Sequence, residues 1–242
     1  MPPFQLLPAG PRAWLIEWAV EAGWSDYRQA ARAQDAAAWL RSNLPEGVVT
    51  IPGARTVLVQ GDGSESAQLS ESAQLSESAL LSESALRAEL AAFERSSAVG
   101  RAEVAGVLDP RHDELVEVPV VYDGQDLERV AELWHTDVAG VIARHTSVVF
   151  RSAFCGFAPG FSYLSGLPRE WALPRLENPR VSVSAGAVAV AASWCAVYPR
   201  ATPGGWQLLG RTDVVLFDQE RPRPALLPPG TRVRFTEQGA VR

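Results

Sequence analysis

The second half of the chain is cut into short apolar runs by glycine and proline, and this punctuation limits the available folds more than any other feature. Val149 to Phe154, Val181 to Val183, Ala187 to Ala191, Trp206 to Leu209, Val214 to Phe217 and Arg232 to Thr236 are short runs with strand composition, separated by turn-forming residues. Many short strands spaced in this way predict a closed or nearly closed β-barrel. Leu115 to Tyr122, LVEVPVVY, adds a strand upstream. Two short helices, Asp126 to Trp134 and Asp137 to Arg144, are predicted after it, the first capped by Asp123 or Asp126.

The first half has a different pattern. Arg12 to Glu17 reads as a strand. From Asp26 to Asn43 the apolar positions recur at helical spacing and stop before Pro45, which predicts a helix. Gly47 to Gln60 then reads as two strands around a Pro52-Gly53 turn, and a second helix is expected from Ser84 to Arg95 with Leu86, Leu90 and Phe93 inward. Strand, helix, two strands, helix and a final strand would make a small α+β sandwich. Between these elements, Ser64 to Arg87 repeats a hexapeptide of the SESAQL type in perfect register. Six residues turn a helix by about 600°, so the repeated leucines form no continuous stripe, and the segment reads as an insertion that lengthens a loop or a helix start. The small, polar, breaker-rich stretch SSAVGRAEVAGVLDPRHDE, which contains His112, is the expected linker. The predicted division is residues 1–112, an α+β domain with the repeat inserted at 64–87, and residues 113–242, a barrel domain.

Composition removes several functions. The net charge of −6 argues against a nucleic-acid partner, because phosphate contacts draw on clustered positive charge. No apolar run reaches the roughly 20 residues of a membrane helix, and the N-terminus lacks a basic region followed by an apolar one, so the expected location is the cytoplasm. All 22 basic residues are arginine. Without lysine there is no Walker phosphate loop, no Schiff base and no attachment point for biotin on this chain. Cys155 and Cys195 have no zinc-site spacing, no metal site is expected, and both read as core thiols.

The candidate site lies in two segments. In HTSVVFRSAFCGFAPGFSYLSGL, His145 to Leu167, a strand breaks into a turn where Phe157, Phe161 and Tyr163 alternate with Gly156, Pro159 and Gly160. The alternation suits either an aromatic cavity wall or an ordinary core turn. His145, at the head of that strand, could act as a general acid or base or as a polar anchor. Arg175 and Arg180 each follow a proline, which suits rigid presentation of a guanidinium to a carboxylate or phosphate, and equally suits two surface arginines. In YPRATPGGWQLLGRT, Tyr198 to Thr212, the turn Pro203-Gly204-Gly205 brings backbone N–H groups near Trp206. Such a turn can form an anion nest or a plain hairpin.

Taken in order, HTS, GFAPGFSYLSGLP, PR-x3-PR, SAGAVAV, YP-x2-TPGGWQLLGRT, LFD and LLPPGTRVRF resemble the family of the B component of bacterial 5-oxoprolinase, also known as allophanate hydrolase subunit 1 and as sporulation-kinase inhibitors. The resemblance implies an N-terminal α+β domain and a cyclophilin-like C-terminal barrel. It implies a heteromer with a C component of related barrel fold and an A component, which opens 5-oxoproline to glutamate using ATP with Mg2+. Related domains occur in biotin-dependent urea carboxylase. Carried over by position, His145 and Arg180 would be catalytic, with Arg180 serving an anionic group. Phe157, Pro159, Gly160, Phe161, Tyr163, Arg175, Gly186, Tyr198, Thr202, Gly204, Gly205 and Trp206 would contact a small amide substrate. Two other readings follow from the family: a binding protein that blocks a histidine kinase, and, through the barrel alone, a proline isomerase. The chain departs from the family pattern where Ser184 replaces a proline, Ala187 a serine, and Trp194 the glutamine of G-x-Q-T-G-x-Y-P.

Overall fold

A computed structural model describes residues 3–61, 82–99 and 115–239. The chain divides into two compact units, Met1–Val107 and Leu108–Arg242.

In the first unit, strands β1 (Phe4–Gly10), β2 (Ala13–Trp18), β3 (Val48–Pro52) and β4 (Thr56–Gly61) form an antiparallel sheet in the order β1-β2-β4-β3. Helix α1 (Asp26–Asn43) starts at Ser25, whose hydroxyl accepts from the Arg28 N–H, and ends before Pro45 as its sequence predicts. Its alanine face, Ala30, Ala33, Ala36 and Ala37, permits close packing on the sheet, with Leu40 beside them. Helix α2 (Glu83–Val99) buries Leu86, Leu90 and Phe93 in the same core as Phe4, Leu6, Ile16, Trp18, Val57 and Val59. Arg32 joins the elements: one guanidinium nitrogen meets Glu21, and the other reaches both Glu94 oxygens at 2.8 Å.

Two expectations change here. The last strand of this sheet precedes the others: β1 runs through Pro8, which an edge strand tolerates because one side of its backbone needs no partner. No strand follows α2 among the described residues of this unit. The first three repeat units, Ser64 to Leu81, and the linker around His112 lie outside the described residues, whereas the last unit, Ser82 to Arg87, leads into and begins α2.

The second unit contains a seven-stranded sheet in the order β12-β9-β10-β7-β6-β13-β5. Its strands are β5 (Leu115–Val120), β6 (Val149–Cys155), β7 (Ser162–Ser165), β9 (Ala187–Ala191), β10 (Trp194–Val197), β12 (Gln207–Arg211) and β13 (Arg232–Glu237). The β13–β5 pair is parallel and the other neighbours antiparallel. Val121, just beyond β5, bridges to Arg211 at the end of β12, so the sheet returns on itself as a nearly closed barrel. β8 (Arg180–Val183) and β11 (Thr202–Gly204) pair separately. Helices α3 (Leu127–Leu133) and α4 (Val138–Ser147) sit close to the predicted pieces, and the Asp137 carboxylate caps α4 by accepting from Gly140 N–H at 2.7 Å. Val214 to Phe217 is not a strand; only Phe217 makes an isolated bridge, to Ala225.

Strand alternation sorts the barrel side chains into two sets. Val188, Val190, Cys195, Val197 and Leu164 point into a core shared with Val130, Trp134 and Val141 of the helical region. Ala187, Ala189, Ala191 and Ala196 point the other way and pack with Phe161, Tyr198, Trp206 and Leu208. The period of two therefore gives the same strands an aliphatic face and a face of alanines and aromatics.

Candidate functional site

The alanine-aromatic face is the centre of the candidate site. Small side chains on β9 and β10 leave room for large rings from the neighbouring segments. Phe161 stands edge-on to Tyr198 and Trp206, with centroids at 5.4 and 5.7 Å. Tyr163 stacks on Phe154 at 4.3 Å and 12° and approaches Trp206 at 5.7 Å. Trp194 points to this same face and stands perpendicular to Tyr163 and nearly so to Phe154. The Trp194 indole is thus part of the wall and does not turn into the aliphatic core.

The turn before β7 forms the edge of the wall. Phe157 has φ of 69°, an uncommon conformation for a bulky side chain, and Ala158 N–H donates back to Gly156 C=O at 2.8 Å, closing a three-residue turn. The turn holds the Phe157 ring 60% exposed, edge-on to Phe161. Pro159 lies in the same turn, and Gly160 has φ of 79° in a place where a Cβ would lie 2.6 Å from that of Phe217.

The Gly205 to Leu208 segment is fastened by hydrogen bonds with four residues elsewhere in the unit, and the buried Gln207 Oε1 is left without a partner among the described residues. Gly205 C=O accepts from Leu176 N–H at 2.7 Å, and Trp206 C=O accepts from Arg180 Nη1 at 3.3 Å. The Gln207 side chain donates to Pro174 C=O at 2.9 Å, and Leu208 N–H donates to Asp126 Oδ2 at 2.7 Å. Gly204 leaves room for the Tyr198 hydroxyl, which a side chain would strike. Gly186, in the β8–β9 turn, donates to Tyr198 C=O and accepts from Thr212 N–H, while Thr202 lies on β11 opposite Val183.

The two residues expected to be catalytic have other surroundings. His145 is in the last turn of α4, not at the head of β6, because the helix continues to Ser147. It is fully buried on the aliphatic side, stacked on Phe235 at 4.6 Å. Its Nδ1 pairs with the Tyr122 hydroxyl at 2.7 Å and its Nε2 faces Cys195 Sγ at 3.3 Å. Burial lowers its pKa to about 3, and burial also pushes the Tyr122 and Cys195 groups up. The imidazole is neutral near pH 7, both nitrogens are used, and the aromatic wall lies on the opposite face. The structure places His145 as a buried, hydrogen-bonded group in the barrel core.

Arg180 is likewise occupied. Its Nη2 contacts both Asp126 oxygens, at 2.7 and 2.9 Å, and Asp126 is 6% exposed. The anion it serves in this structure is therefore a carboxylate of its own chain. For the same reason the Asp126 side chain does not cap α3, whose start carries no side-chain cap. Arg175, by contrast, is exposed, with its Cζ 6.0 Å from the centre of the Trp206 ring. Burial raises the phenol pKa of Tyr163 and of Tyr198, and the Arg175 charge opposes that rise at both rings. Asp126 and Gln207 were missing from the expected site; Gln207 directly follows Trp206 in the motif, whereas the role of Asp126 depends on a partner 54 positions away.

The barrel unit thus carries an aromatic wall on one face of a nearly closed mixed sheet. The chain belongs to the family of the carboxyltransferase domain, subdomain C and D, whose model matches residues 4–227. It is 44% identical over 139 residues, 56% of its length, to an Escherichia coli O157:H7 protein named as the B component of 5-oxoprolinase, of which the match covers 63%. A Bacillus subtilis protein of the same name is 43% identical over 124 residues, 50% of this chain and 52% of that protein. These matches span only about half to three fifths of the relatives' lengths. A crystal structure from Pyrococcus horikoshii matches over 98% of both chains with TM-score 0.51 and 30% identity. The Kluyveromyces lactis urea amidolyase shares the fold at 18% identity and TM-score 0.67, with 97% of this chain matching 15% of that one.

Proposed function

We propose that the chain is the B component of a heteromeric, ATP-dependent 5-oxoprolinase, which helps open the cyclic amide 5-oxoproline to L-glutamate together with an A component and a C component of related barrel fold. The observation that carries this reading is the alanine-backed aromatic wall, built by the two segments that resemble this family and supported by relatives named as the same 5-oxoprolinase component. In this reading residues 1–112 are an α+β domain and residues 113–242 a cyclophilin-like barrel domain working in the cytoplasm. Among the described residues no helix is long and apolar enough to cross a membrane.

The accessible rings at the edge of the wall, Phe157, Tyr163 and Trp194, would take the flat amide ring and strip water from it, with Phe161 and Trp206 buried behind them. His145 moves no proton in this scheme, and the Asp126–Arg180 pair keeps the Trp206 turn in place. Among the described residues no group of three or more His, Cys, Asp or Glu is placed to hold a metal ion, and a nucleotide-bound Mg2+ takes most of its ligands from phosphate oxygens and water. ATP and Mg2+ are assigned to the assembled complex.

The test is reconstitution with the A and C components. The expected result is ATP hydrolysis that depends on 5-oxoproline and on this chain; ATP consumption indifferent to either would reject the proposal. A histidine-kinase inhibitor would instead form a complex with a kinase dimerisation domain in the absence of both components, and size-exclusion chromatography of the same preparation separates the two cases.

A further inference from the structure

The geometry points to Arg175, and not Arg180, as the residue that holds the anionic group of the ligand at the edge of the aromatic wall. The inference rests on reading that wall as the ligand site. Two arginines follow prolines in this stretch, and only their surroundings tell them apart. Arg180 donates to both Asp126 oxygens and to the Trp206 carbonyl, so its donors are already directed at fixed partners inside the chain. Freeing it would leave a buried carboxylate unpaired. Arg175 is exposed, and its guanidinium lies over Trp206.

Its backbone is nonetheless held from both sides. Leu173 and Ala192 exchange two backbone hydrogen bonds, at 3.0 and 2.6 Å. Pro174 C=O accepts from the Gln207 amide, and Leu176 N–H donates to Gly205 C=O. An exposed head on a fixed base suits an incoming carboxylate: the fork offers two parallel N–H donors, and a ring attached to that carboxylate can lie against the half-buried Tyr163 at the edge of the wall. The ligand class is a compact cyclic or planar carboxylate. Trp194 has an indole where related chains are expected to offer an amide, so ring contact and the charged anchor carry the recognition here.

The test uses the full chain and two probes of one shape, benzoate and benzamide, titrated by calorimetry. The unaltered protein should prefer benzoate, with a preference that shrinks as salt is added. Arg175→Gln should weaken benzoate roughly 10-fold or more while leaving benzamide and the thermal midpoint unchanged. Arg175→Lys should recover part of the loss. The inference is overturned if Arg175→Gln binds benzoate as the unaltered protein does, or if that protein shows no preference for benzoate, including no binding of either probe. Because neither probe is a substrate of the proposed reaction, this outcome is separate from ATP turnover by the reconstituted complex.

Discussion

At residue scale, the unlike fates of His145, Arg180 and Arg175 come from their partners and not from their local sequence. His145 is buried neutral between Tyr122 and Cys195, so the folded chain resists its protonation down to about pH 3. An exposed histidine in the unfolded chain takes up its proton near pH 6.5. Between these values the unfolded state binds more protons, and stability should fall as the pH is lowered, by at most about 1.4 kcal/mol per pH unit from this group. Chemical denaturation from pH 7 to pH 4 should show that slope, and His145→Phe should flatten its histidine part; an unchanged slope would contradict the buried neutral imidazole. Asp126→Asn tests the neighbouring claim. It removes the charge opposite a mostly buried Arg180, and a loss of about 2–4 kcal/mol is expected on thermal unfolding. Arg180→Gln should cost a similar amount, and the double variant less than the sum, because each single change strands the other partner.

At element scale, the turn from Gly156 to Gly160 shows what was legible in the sequence and what was not. Its glycines, proline and alternating aromatics suited either a cavity wall or a core turn, and the structure shows a turn that buries Phe161 and leaves Phe157 exposed. The positive φ fell on Phe157 as well as Gly160, which residue type alone does not signal. Phe157→Gly should therefore leave stability unchanged or raise it by about 1 kcal/mol, while ligand binding at the rim weakens. Gly160→Ala should lower stability by about 1–3 kcal/mol, since it adds both an unfavourable φ and a close approach to Phe217. A differential scan of both variants checks the pair, and equal midpoints would show that the turn is not strained. Helix α1 was readable because its signals are local, an apolar spacing and a terminating proline, while its Ser25 cap emerged only in the structure. β1 was missed because Pro8 looks like a breaker until the strand is known to lie at an edge. His145 was misplaced by three residues of helix that the following strand pattern concealed. The resemblance put Arg180 ahead of Arg175 for an anionic group, and nothing in the sequence marked Asp126 as its partner, because that carboxylate lies 54 positions away.

At the scale of the whole molecule, the cores are separate. One core gathers Ile16, Trp18, Leu40, Val57, Leu86 and Phe93, while another gathers Val118, Phe150, Leu164, Val190, Val233 and Phe235, with no residue in common. Each is closed by its own sheet, and the barrel unit contains every residue of the aromatic wall and of its Asp126–Arg180 support. A cavity made in the first core should then be felt there and not at the wall. Leu40→Ala, at a site with no exposed surface, is expected to cost about 2–5 kcal/mol. In the full chain it should lower an unfolding transition of the first unit while leaving benzoate affinity unaltered below that transition. Val190→Ala, equally buried in the barrel, should lower the other transition and weaken benzoate, because Val190 pairs with both Cys195 and Gln207 on the strands that present Trp194 and Trp206. Calorimetric unfolding with and without benzoate distinguishes the cases: the ligand should raise only the transition that Val190→Ala lowers, by mass action on the unit that binds it. A single transition raised by ligand and lowered equally by both variants would mean that the two cores melt as one cooperative body.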